Sequence, residues 1–175
     1  LGLDADHSAS FRRYMRERVE SRVNPLVFHY LEGDAPEPLR ECKRYAELLA
    51  AQPIDLCCLG VGENGHIAFN DPPMADFNDP EMVKIVQLDD VCRQQQHGEG
   101  HFPTFDAVPQ SALTLTIPAL CQARKMTCLC SETRKAKVIK RALQGEISEE
   151  CPVTHLRTQS QCVLFLDQDS ASLLD

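Results

Sequence analysis

The sequence predicts an α/β fold, and three observations carry that prediction. Short apolar runs of strand length recur along the chain, amphipathic stretches of helical period separate them, and a glycine-rich turn follows the most apolar run directly. This is the pattern of a Rossmann-like, mainly parallel sheet flanked by helices, with right-handed crossovers between strands.

Ser8 to about Val23 reads as the first helix, with Phe11, Tyr14, Met15 and Val19 at helical spacing and a break at Asn24-Pro25. A short apolar run, Leu26 to Leu31, precedes the turn-like GDAPEP. Leu39, Cys42, Tyr45, Ala46 and Leu49 then mark a second amphipathic helix that ends before Pro53. Ile54 to Val61 (IDLCCLGV) is continuously apolar, as expected of a central parallel strand covered on both faces. Met82 to Leu88, Ala112 to Ile117, Met126 to Cys130 and Cys162 to Leu166 are further strands. Helices are expected at Asp89 to Gln96, Arg134 to Gln144 and Ser170 to Leu174.

A length of 175 residues suits one domain, 1–175, with a substantial core, and 43% hydrophobic with 25% charged residues is an ordinary globular composition. The net charge of -8 disfavours non-specific binding to nucleic acid or to an anionic membrane, although a local basic pocket can still hold a small anion. No apolar stretch approaches the roughly 20 residues that span a bilayer, and LGLDADHSAS has no signal-peptide character, so a cytoplasmic location is expected. The nine cysteines are odd in number and show no metal-ligand spacing. They read as reduced, mostly buried thiols, with Cys57 and Cys58 on opposite faces of a strand.

The segment GVGENGHIAFNDP, residues 60–72, is the most informative. Ligands of open α/β sheets bind at the carboxyl ends of strands, and glycines there allow sharp turns and close approach. Gly60, Gly62 and Gly65 satisfy GxGxxG formally, but a dinucleotide site needs a long helix opening from the loop, and Pro72-Pro73 interrupts one. His66 and Asp71 are five residues apart, so a turn can bring the carboxylate to the imidazole for acid/base work; a histidine bonded only to backbone is the plain alternative.

GVGENGHIAFNDP resembles the signature of the glucosamine-6-phosphate deaminase/isomerase family, related to the 6-phosphogluconolactonases, and its I-A-F-N run leans to the deaminase side. VPQSALTLTIPAL and SETRKAKVIKRALQG resemble later segments of the same family. The resemblance implies an enzyme that isomerises glucosamine 6-phosphate and releases ammonia, without a metal or organic cofactor. A 6-phosphogluconolactonase-like hydrolase and a non-catalytic sugar-phosphate sensor are the alternatives. It implies that His66 is the ring-opening histidine and that Asn64 and Asp71 stand where the family has two carboxylates, with Glu63 as a further anionic candidate. Gly62 and Gly65 would line the substrate, and Lys135 would bind phosphate. The family's arginine position falls at Gln96, leaving Arg93, one turn earlier, to serve the same pocket. The partner expected is a small sugar phosphate; a homo-oligomer is left open. The resemblance also implies that the family's N-terminal strands and its proton-transfer base lie upstream of Leu1, so that this chain by itself is expected to be inactive.

Overall fold

The computed structural model describes residues 1–174. Its main sheet is three-stranded and parallel, in the order β1 (Leu56–Gly60), β4 (Lys125–Cys130), β5 (Cys162–Leu166), with Leu56 opposite Lys125 and Met126 opposite Cys162. β2 (Val83–Gln87) and β3 (Ser111–Leu115) form a separate antiparallel pair, with Val83 opposite Leu115. Among the described residues β4 pairs on both sides and β1, shorter than the Ile54 to Val61 run, pairs with β4 alone.

Strand alternation decides which residues enter the core. Leu59, Met126, Cys128 and Cys130 point to one face, where the helix Ala136–Gln144 and the 3-10 segment Pro152–Thr158 cover them with Val138, Ile139, Ala142, Val153 and Leu156. The opposite face is open: Leu56, Leu129, Val163 and Phe165 are each more than half exposed. Continuous apolarity had predicted cover on both faces; the described residues cover one. Cys57 packs on the core side and Cys58 is exposed, and all nine cysteines are unpaired.

The helix Pro38–Ala51 lays Cys42, Tyr45, Ala46 and Leu49 on the β2–β3 pair, against Val83, Ile85 and Leu113. The N-terminal helix begins at Phe11 rather than Ser8, passes through a π-helical stretch Arg16–Glu20, and stops where Asn24 turns left-handed at φ 46°. Leu26 to Leu31 forms no regular element. β3 ends at Leu115, because Thr116 caps a short helix, Ile117–Cys121, with Pro118 in its first turn. Residues 170–174 form turns, not the expected helix: the Ser170 amide donates to Asp167 Oδ1 (2.7 Å) and its hydroxyl to the Cys130 carbonyl (2.9 Å). Five residues tied this way are too few to sustain helical nucleation.

Among the described residues no helix is long and apolar enough to cross a membrane. Ile139→Ala, at a fully buried site, is expected to lower the unfolding free energy by about 2–5 kcal/mol in chemical denaturation, whereas Leu143→Ala, at a 37% exposed site on the same helix, should change it by less than about 1 kcal/mol.

Candidate active site

The loop after β1 is built around two glycines. The Gly62 amide donates to the His66 carbonyl (2.9 Å) and the Gly65 amide to the Gly62 carbonyl (3.1 Å), closing a tight turn. Gly65 has φ +89°, and a Cβ on it would meet Cys151 Sγ at 2.7 Å. A Cβ on Gly62 would fall 2.2 to 2.4 Å from three atoms of the His66 ring, so the imidazole lies directly on the Gly62 backbone. Asn70 Nδ2 donates to the carbonyls of Ile67 and Leu115, both at 2.9 Å, and the Phe69 amide to Thr114 Oγ1 (3.0 Å). These bonds anchor the far end of the loop on β3. Pro72–Met74 continues it as a 3-10 turn, not as the long helix of a dinucleotide site.

Asp71 is fully buried and is the focus of the site. Its Oδ1 accepts from Asn64 Nδ2 (3.0 Å), its Oδ2 from the Asp89 amide (3.3 Å), and His66 Nδ1 lies 2.9 Å from Oδ1. The imidazole contact is short but out of line for a straight hydrogen bond, and Nδ1 has no other partner among the described residues. Distance and the lack of a rival acceptor make the carboxylate the group that Nδ1 serves. Burial alone would raise the Asp71 carboxyl; the close His66 imidazole and the Asn64 hydrogen bond outweigh it and hold the group below its usual range.

Asn64 explains itself by its neighbours. Its amide nitrogen donates to Asp71 Oδ1 and to Asp89 Oδ2, each at 3.0 Å, while its Oδ1 accepts from the His66 amide (3.0 Å). Only an amide has two protons and an acceptor in this arrangement. Asp89 in turn caps the helix Asp90–Gly98, accepting from the Cys92 amide at 2.6 Å. Cys92 is fully buried beside Asp71, and burial first, then the carboxylates of Asp71 and Asp89, push its thiol well up.

The remaining residues singled out by sequence divide. Lys135, 6% exposed, donates from Nζ to the Val61 carbonyl (2.8 Å), and burial first, then neighbouring Arg134, lowers its pKa. It thus stands beneath the glycine loop, and the Val61 carbonyl is the one hydrogen-bond acceptor seen for its ammonium among the described residues. Glu63 turns outward onto Arg134 (2.9 Å), which also holds Glu99 (3.0 Å) and Glu132 (2.7 Å). Arg93 is engaged elsewhere: its Nη2 donates to the carbonyls of Phe105 (3.2 Å) and Val108 (3.3 Å), and its guanidinium lies 4.1 Å from the Phe105 ring centre. Gln96 lines an apolar cavity of about 200 Å³ with Phe69, Leu88 and Phe102. Asp89 and Cys92 are the site residues that sequence reading missed. The helix cap at Asp89 was readable, but nothing in the sequence ties it to a loop some 20 residues earlier.

Residues 3–165 match the family described as glucosamine-6-phosphate isomerases/6-phosphogluconolactonase. A glucosamine-6-phosphate deaminase of Bacillus cereus (strain B4264) is 35% identical over 99% of this chain, and one of Bacillus thuringiensis (strain Al Hakam) is 34% identical over the same share. The chain spans 64% of the length of these relatives. Among solved structures, a monomeric glucosamine-6-phosphate deaminase superposes with a TM-score of 0.90 at 32% identity, covering 98% of this chain and 70% of that one. The 6-phosphogluconolactonase of Thermotoga maritima, with a TM-score of 0.70 and 22% identity over 94% of this chain and 67% of its own, shares the fold.

Two substitutions test the local geometry. Asn64→Asp places a third carboxylate against Asp71 and Asp89, so one carboxyl must titrate with a raised folded pKa. The variant is then near native stability below the carboxylate range and loses roughly 1–3 kcal/mol as pH rises to 7, measured by denaturation at both pH values. Gly62→Ala must expel the imidazole from its seat, and the His66 side-chain resonances in NMR are expected to shift far more than those of His155.

Proposed function

The chain belongs to the family of glucosamine-6-phosphate isomerases and 6-phosphogluconolactonases, and from that premise we propose that it serves the conversion of glucosamine 6-phosphate and water to fructose 6-phosphate and ammonia. The observation that carries the reading is the His66–Asp71 pair, at 2.9 Å, seated on a glycine loop in a chain 35% identical to a glucosamine-6-phosphate deaminase.

In this reading Asp71 holds Nδ1 of His66 and leaves Nε2 to take the proton of the C1 hydroxyl and return it to the ring oxygen as the bond between C1 and that oxygen breaks. The buried carboxylate lies beside the imidazolium that forms between those two transfers. Asn64 keeps the carboxylate and the backbone of His66 in register, so the amide acts as a positioning group where a second carboxylate would add charge. Gly62 supplies the flat seat that fixes the ring, and Gly65 the turn that aims it.

Lys135 supplies the cation for the phosphate. Its burial favours a small anion that can strip the remaining water from the ammonium, and binding that anion opposes the downward pull of burial on its pKa. We assign no described residue to the proton transfer between C1 and C2. Nine unpaired cysteines suit a reducing compartment, in keeping with a cytoplasmic enzyme of amino-sugar metabolism.

Ammonia release from glucosamine 6-phosphate, measured on the intact protein, tests the reading. His66→Ala is expected to lower kcat about 100- to 10,000-fold with little change in KM, and Lys135→Met mainly to raise KM. Undiminished release in His66→Ala, or turnover of 6-phosphogluconolactone in place of the amino sugar, would overturn it.

A further inference from the structure

The fold brings a thiol into the company of the imidazole and the carboxylate. A nitrogen of His66, a carboxylate oxygen of Asp71 and the sulfur of Cys92 all lie within 4.8 Å of one another, and all three residues are buried. We propose that these three side chains form a binding site for a thiophilic divalent cation, with Zn²⁺ the best match. The proposal stands on the geometry and does not depend on the reaction assigned above.

Three features support it. First, the donor types are those zinc takes. Bonds of about 2.0–2.3 Å in a tetrahedron set ligand atoms roughly 3.3–3.8 Å apart, so small side-chain rotations within the observed cluster suffice. Second, the ligands are already held. The Asp89 amide and Asn64 Nδ2 fix the carboxylate, and the Asp89 cap fixes the first turn of the helix that carries Cys92. Third, the charges close. Zn²⁺ with one thiolate, one carboxylate and a neutral imidazole is neutral overall, which a buried site requires; the thiol proton leaves to solvent as the S–metal bond forms.

Cys92 and Asp71 are wholly enclosed, while His66 keeps 9% of its surface exposed. His66 is therefore the member of the cluster that borders solvent, the side from which a water or another small donor would complete the coordination. Hard cations such as Mg²⁺, which require oxygen donors, are excluded by the thiol and the imidazole. A bound zinc ion would occupy both His66 and Asp71 and so withdraw them from any proton transfer.

Cobalt(II), titrated into the reduced protein, reports the site directly. One equivalent is expected to produce the visible bands of tetrahedral cobalt together with a near-ultraviolet thiolate-to-cobalt band, and both disappear when Zn²⁺ but not Mg²⁺ is added. Cys92→Ser, with circular dichroism confirming the native fold, should lose the near-ultraviolet band, and His66→Ala should weaken cobalt binding at least tenfold. Cys58→Ser, at an exposed cysteine, should leave both unchanged. Absence of the band in the native protein, or its persistence in Cys92→Ser, would overturn the proposal.

Discussion

A carboxylate removed from water organises this molecule's candidate site. Burying an isolated anion costs far more than one side chain's packing returns, so Asp71 is tenable only where donors converge on it. They come from separate parts of the chain: Asn64 and His66 from the glycine loop, and the Asp89 amide from the start of the helix after β2. The loop cannot take another shape without stranding the charge, nor can the helix move off without removing one of its donors. Asn64 extends the constraint by joining Asp71 to a second carboxylate, Asp89, through one amide.

A second, looser set of charges borders the first. Arg134 draws Glu63, Glu99 and Glu132 together at the surface, while adjacent Lys135 is buried and donates to the carbonyl of Val61. Glu132 takes φ 79° and ψ 145°, a region that side chains rarely occupy and that costs on the order of 1–3 kcal/mol. That backbone turn leads directly into the 3-10 turn from which Lys135 enters the interior. Surface pairs of this kind contribute little to stability singly. Here they tie the glycine loop, the helix Asp90–Gly98 and the end of β4 around one buried ammonium.

How much was legible in the sequence follows from the range over which each feature is determined. The strand runs, the break at Asn24 and the glycine loop are set by nearby residues, and the structure has each of them close to where the pattern put it. His66 and Asp71 share one loop, so their meeting was readable. The apolarity of Ile54 to Val61 could not reveal that, among the described residues, β1 pairs with β4 alone and is covered on one face, because strand order and cover come from distant segments. The resemblance offered Arg93 as a stand-in for the family's arginine, one helical turn from Gln96; its engagement by the Phe105 and Val108 carbonyls depends on a loop whose course no local pattern encodes. Asp89 and Cys92 reached the site by the same long-range route, and Asn64, which read as a lost carboxylate, is the residue that two neighbouring carboxylates require.

Asp71 fixes the orientation and tautomer of the His66 ring by engaging Nδ1. The ¹⁵N chemical shifts of His66 in the folded protein, at a pH where the ring is neutral, test it most directly. The proton is expected on Nδ1, and Asp71→Asn is expected to redistribute it between the two nitrogens. A ring that carries its proton on Nε2 in the native protein, or one whose tautomer is unchanged by Asp71→Asn, would contradict it.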